Sequence, residues 1–146
     1  MQSGHVATIL RTSAISLLAE CESVCAPALL PFLVDLWEGM VDLLQVESHG
    51  QQVSGVSEDS DPAIANAKLP SLRRAAIHLL SQLIREATKE VYESPQRKST
   101  LISSSIERAR ITLTYVAGTD GDTLVRVMAR ETAGLIHDLE RAAVGI

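Results

Sequence analysis

Three stretches of the chain carry one short phrase: an apolar residue, an arginine, and an alanine three positions beyond the arginine. They are Leu10-Arg11 with Ala14, Leu72-Arg73 with Ala76, and Val125-Arg126 with Ala129. Ten residues after each arginine stand Cys21, Leu83 and Ile136. At the angular spacing of an α-helix these fall on the same face as the shared alanine. A helical unit that recurs along a chain and cannot bury its own apolar face must stack on its neighbours, which is the logic of an α-solenoid.

The arginines are separated by 62 and then 53 residues, more than the roughly 40 to 47 of HEAT and armadillo units. The repeats are therefore expected to be irregular, with an insertion between the first and second. Five helical segments account for the periodicity: 5–24, 28–46, 70–91, 98–117 and 122–143. Pro27, Pro70 and Pro95 fall where helices start or stop, as a residue without an amide donor must. Residues 48–67, "SHGQQVSGVSEDSDPAIANA", have no sustained period and read as a loop. The expectation is one domain over residues 1–146, all-α, a HEAT-like α-solenoid of about five helices in irregular antiparallel hairpins.

Hydrophobic residues make up 46% of the chain and aromatics 3%, so the core has to come from Leu, Ile, Val and Ala, a mixture that favours helices. The second segment carries Phe32, Leu33, Leu36, Trp37, Met40, Val41 and Leu44 on one broad arc, opposite Asp35, Glu38 and Asp42. The fourth carries Leu101, Ile102, Ile106, Ala109, Leu113 and Val116. Arcs this wide call for more than one packing neighbour. Each shared arginine, Arg11, Arg73 and Arg126, lies at the margin of its arc, where the stem can pack while the guanidinium reaches a carboxylate. Asp120 or Asp122, in the turn "AGTDGD", is the expected partner for one of them, and either can cap the last helix. Arg74, further round the helix, is expected in solvent.

The formal charge of −5 offers no general attraction to phosphate backbones, and four aromatic residues give few stacking platforms, so nucleic acid is not an expected partner. The apolar run from Ala26 to Leu44 is broken by two prolines, a glycine and three acids and does not read as a membrane span. Cys21 and Cys25 cannot build a multi-bridge secreted framework, which fits an intracellular, reducing compartment.

No cluster announces chemistry, and neither a cofactor nor a metal is expected. Cys21 and Cys25 stand one turn apart but lack two further ligands, and Cys21 shares the core slot of Leu83 and Ile136. Asp120-x-Asp122 opens like a calcium loop, yet Val125 stands where the loop needs glycine. The triple serine 103–105 sits inside a helix, and His78 and His137 have no nucleophile to serve. A small helical enzyme or metal protein using a cysteine or histidine remains the alternative of a different class. Ile111 and Tyr115, one turn apart and off the main arc beside Arg108, are candidate partner-binding residues or contacts to an adjacent repeat.

The paired arginines of "LRRAA", residues 72–76, taken with "YVAGTDGDTLVR", residues 115–126, give a more specific pointer. Together with "RTSAISLLAEC", residues 11–21, they resemble the C-terminal HEAT-like region of the RNA polymerase II assembly and nuclear-import factor family, whose animal members are called transport and Golgi organisation proteins. The resemblance implies a non-enzymatic adaptor whose partners are polymerase subunits, assembly chaperones and nuclear transport factors. It implies a cytoplasmic location with shuttling to the nucleus, and family members much longer than this chain. It carries over no catalytic residue. A generic HEAT-type interaction scaffold from another assembly or transport system is the alternative reading.

Overall fold

The structure, a computed structural model, describes residues 2–53, 70–94 and 103–145, and every regular element among them is helical. Helix α1 spans Gln2–Val24 and α2 the short segment Ala26–Leu29. A 3-10 turn, Leu30–Phe32, leads into α3, Leu33–Val53. Then come α4, Ser71–Glu93; α5, Ser103–Thr119; and α6, Thr123–Val144.

The prolines cut the chain where their chemistry requires. Pro27 falls in the first turn of α2 and Pro31 in the 3-10 turn, so the expected single helix 28–46 is three pieces, because neither ring nitrogen can donate to the preceding turn. Phe32 is left 56% exposed by this break rather than joining the arc of α3. Pro70 caps α4. At its other end α3 runs on to Val53, so residues 48–53 of the expected loop are helical. Residues 54–67 of that loop lie outside the described residues, as do Pro95, Leu101 and Ile102. Gly145 closes α6 in the left-handed conformation, φ 77°, a geometry glycine adopts without a side-chain clash.

Helix α4 is the centre of the packing. It lies against α1 on one side and α6 on another, and also touches α3; α5 packs on α6 and α3. Its long buried face, including Leu72, Ala76, Ile77, Leu79, Leu80, Leu83 and Ile84, is as wide as three neighbours demand. Leu33, Trp37, Val41 and Leu44 of α3 and Ala109, Leu113 and Val116 of α5 enter the same core. Ala129, Ile136 and Leu139 of α6 complete it.

Among its described side chains, helix α1 buries only Ile15, Ala19 and Glu22. The opposite side carries Val6, Leu10, Leu17 and Val24, all more than half exposed. This corrects the expected register in α1: Arg11, Ala14 and Cys21 are exposed, whereas Ala76, Leu83, Ala129 and Ile136 are buried. Burial needs a neighbour as well as a suitable side chain, and α1 packs mainly on α4, with α2 at its end. The three outward positions face away from that contact.

Candidate functional site

The most organised polar cluster joins the first turn of α4 to the turn between α5 and α6. Arg73 donates from Nε to Asp120 Oδ2 at 2.8 Å and from Nη2 to Oδ1 at 3.1 Å. The next residue repeats the pattern. Arg74 donates from Nε to Asp122 Oδ2 at 3.0 Å and from Nη2 to Oδ1 at 2.8 Å. Two adjacent guanidinium forks therefore grip two carboxylates separated by one glycine, a bidentate geometry that fixes orientation as well as distance.

Their surroundings differ. The side chains of Arg73 and Asp120 are 3% and 1% exposed, those of Arg74 and Asp122 38% and 21%. Asp120 also accepts from the Asp122 backbone N–H at 2.9 Å, and its carbonyl accepts from Arg126 Nη1 at 2.8 Å. Asp122 caps α6 by accepting from the Val125 N–H at 2.9 Å, as an N-cap aspartate does. The Arg74 guanidinium bonded to Asp122 holds this carboxyl below the usual carboxylate range against the opposing effect of burial, with help from the Val125 amide. The same bond pushes Arg74 up.

Asp120 is thus the partner of Arg73 by its carboxylate and of Arg126 by its carbonyl, as the sequence suggested for one arginine of the set. Arg74 overturns the expectation of a solvated side chain. Its angular offset from Arg73 points it at the second acid of the turn. The signal was present in the sequence as two consecutive arginines and two aspartates two residues apart, spacings that match once α4 lies beside the turn. Calcium-like chemistry at Asp120 and Asp122 has no room here, because both carboxylates are taken up by guanidinium groups.

Arg108 is likewise engaged within the fold. It bonds Glu38 Oε2 at 2.6 Å, Gln45 Oε1 at 2.7 Å and Asp42, fastening α5 to α3, and its pKa is pushed up, first by the bond to Asp42. Glu38 and Asp42, on the side of α3 opposite its apolar arc, are therefore tethered to α5. Ile111 is 57% exposed and Tyr115 half-buried. With Gln45, Thr112 and Ser48 they line a cleft of ≈ 210 Å³ between α3 and α5, and the Ser48 hydroxyl is buried there without a hydrogen-bond partner.

Two further features were not legible in the sequence. Glu22, 7% exposed, sits in the α1–α4 contact with Glu86 as its acidic neighbour. Burial first, and then the neighbouring Glu86, push Glu22 above the ordinary range, while Arg85 partly offsets this. Cys21 and Cys25 are both exposed free thiols, which corrects the core position expected for Cys21. His78 and His137 are exposed, and no group of three or more His, Cys, Asp or Glu is gathered as a metal requires among the described residues. Nor is any helix among them long and apolar enough to cross a membrane.

Comparison with protein-family models, with curated proteins and with solved structures finds no match to this chain.

Proposed function

We propose that this chain is a protein-binding adaptor built as a short HEAT-like array, with α1, α4 and α6 as one row of helices and α3 and α5 as the other. The observation that carries the reading is the order of packing: α4 contacts both α1 and α6, and α3 contacts α5, so helices alternate in sequence between two rows. Two features support it. The register positions buried in α4 and α6 are open in α1, as in the outermost member of a stack. Consecutive units are tied by the double fork of Arg73 and Arg74 onto the turn that begins the third.

The resemblance of residues 72–76 and 115–126 narrows the role to the assembly and nuclear import of RNA polymerase II, with polymerase subunits, assembly chaperones and transport factors as partners, in the cytoplasm and shuttling to the nucleus. Affinity capture with the tagged chain from cells tests this. Enrichment of polymerase subunits and assembly chaperones is expected; their absence overturns the narrower role. A general scaffold in another assembly or transport system is the second reading. It is favoured by the shared register of α4 and α6, with Ala76, Leu83, Ala129 and Ile136 all buried, which suits stacked helices in general rather than one system, and capture of a different assembly would select it.

A further inference from the structure

The two sides of α1 differ in character. Ile15, Ala19 and Glu22 are buried toward α4, and the other side is open among the described residues. Along that open side Ala7, Leu10, Ala14, Leu17, Cys21 and Val24 follow one another at alternating intervals of three and four residues. This is the seven-residue repeat of a helix–helix seam, with a small residue at every first position and a larger aliphatic one at every second. All but the half-buried Ala7 are exposed, and Leu17 is 66% exposed. Val6 and Ile9, both about half exposed, widen the strip near the start of the helix. The open apolar area is on the order of 500 Å², as large as the biggest patches that monomers leave uncovered, and a substantial part of the about 800 Å² that each side of a standard interface buries.

The order of small and large residues says what the seam fits. Run antiparallel against the same seam on a second copy, it sets Ala7 against Val24, Leu10 against Cys21 and Ala14 against Leu17, and the two-fold axis repeats each pair. Every layer then joins one small to one large side chain, which fills the space evenly and lets the helices come close. A parallel pairing puts like on like, and its Ala7 and Ala14 layers leave gaps between the leucine layers. The antiparallel register also places Arg11 of each copy level with Glu20 of the other. Like charges stay about 13 Å apart along the axis, beyond the screening length at physiological salt. We propose that the open side of α1 is a two-fold, antiparallel docking surface for a second copy of this chain. The proposal goes beyond the adaptor reading and stands or falls apart from it.

The test is sedimentation equilibrium of the full chain from roughly 1 μM to 1 mM. A reversible monomer–dimer equilibrium with a micromolar Kd is expected, as for an interface at the lower end of the usual size range. Leu17→Glu brings two carboxylates together near the two-fold axis and should weaken association about 100-fold or more, with an unchanged melt at a concentration where both chains are monomeric. Leu10→Glu should act similarly, and Leu124→Glu, at an exposed leucine of α6, should leave association intact. A wild-type chain that stays monomeric to roughly 1 mM overturns the proposal, and so does association that survives Leu17→Glu or is lost equally in Leu124→Glu. Alkylation of Cys21 should slow as the dimer forms, more than that of Cys25; unslowed labelling overturns the seam. Oxidation then reads the direction. The antiparallel register holds the two Cys21 residues about 16 Å apart along the axis, past the reach of a disulfide, whereas Leu10→Cys faces Cys21 of the other copy and should give a covalent dimer. Ready cross-linking of Cys21 to Cys21 in the wild-type dimer overturns the antiparallel register. A strip that binds another protein while the chain itself stays monomeric overturns the second copy as its occupant.

Discussion

Trp37 on α3, fully buried, donates its indole N–H to the main-chain carbonyl of Ser105 on α5 at 3.1 Å. This bond joins α3 to α5 at the level of the core, where it is shielded from water. As the only tryptophan of the chain, Trp37 is both a structural anchor and a reporter. Trp37→Phe keeps most of the packing and loses the bond, and is expected to cost about 1–2 kcal/mol. Trp37→Ala opens a cavity and should cost about 3–5 kcal/mol. Urea unfolding followed by circular dichroism measures both, and equal values would show that the hydrogen bond and the cavity are not separable contributions.

Asp120→Ala removes the carboxylate that takes two N–H groups of Arg73 at 3% exposure, and loss of one member of a buried pair is expected to cost about 3–5 kcal/mol. Replacing both partners, Arg73→Met with Asp120→Leu, removes the charges together and should recover most of that loss. Arg74→Ala, at a pair open to solvent, should have a much smaller effect because water screens and replaces it. Melting temperatures of the variants at one pH test the ranking. A double variant less stable than Asp120→Ala would contradict it.

Asp122 contributes in a pH-dependent way. Its folded pKa is depressed, chiefly by Arg74, so its contribution is fully present above the ordinary carboxylate value and is lost as pH falls through the folded value. Asp122→Asn retains a side-chain oxygen for the Val125 amide but gives up the charge. The stability gap between wild type and Asp122→Asn is therefore expected to hold steady down to about pH 4 and to close below it. Parallel pH–melting curves would contradict this.

Glu22 has the opposite sign. Its folded pKa is raised by burial and by Glu86, so the folded chain resists an ionisation that the unfolded chain accepts once pH exceeds the unfolded value. Stability falls from there until the folded value is passed. Glu22→Gln should raise the melting temperature at pH 7 and give little gain near pH 4, where the wild-type carboxyl is largely protonated in both states. A gain of the same size at both pH values would place its origin in packing rather than charge.

Much of the helical layout was legible because prolines and the "AGTDGD" turn punctuate it, and the arcs of α3 and α5 were legible because Trp37, Leu44, Leu113 and Val116 recur at helical spacing. Position in the assembly was harder to read. The arginine-alanine phrase predicts equivalent burial in α1, α4 and α6, but Ala14 and Cys21 are exposed where Ala76 and Leu83 are buried, since a helix with one principal neighbour has fewer partners to offer. Long-range polar pairings were the least legible. Arg74 with Asp122, Arg108 with Glu38, Asp42 and Gln45, and Glu22 with Glu86 join residues far apart in the chain. Helical periodicity says which side a residue faces on its own helix and nothing of what faces it.

The Arg73–Asp120 pair also disciplines folding. The α5–α6 turn docked one helical turn out of place, about 5 Å along α4, would part the buried Arg73 guanidinium from the Asp120 carboxylate at a cost of several kcal/mol. Near-miss arrangements of otherwise interchangeable Leu, Ile and Ala contacts are thereby penalised more heavily than the correct one is rewarded, so the pair serves as an alignment key between α4 and the α5–α6 turn.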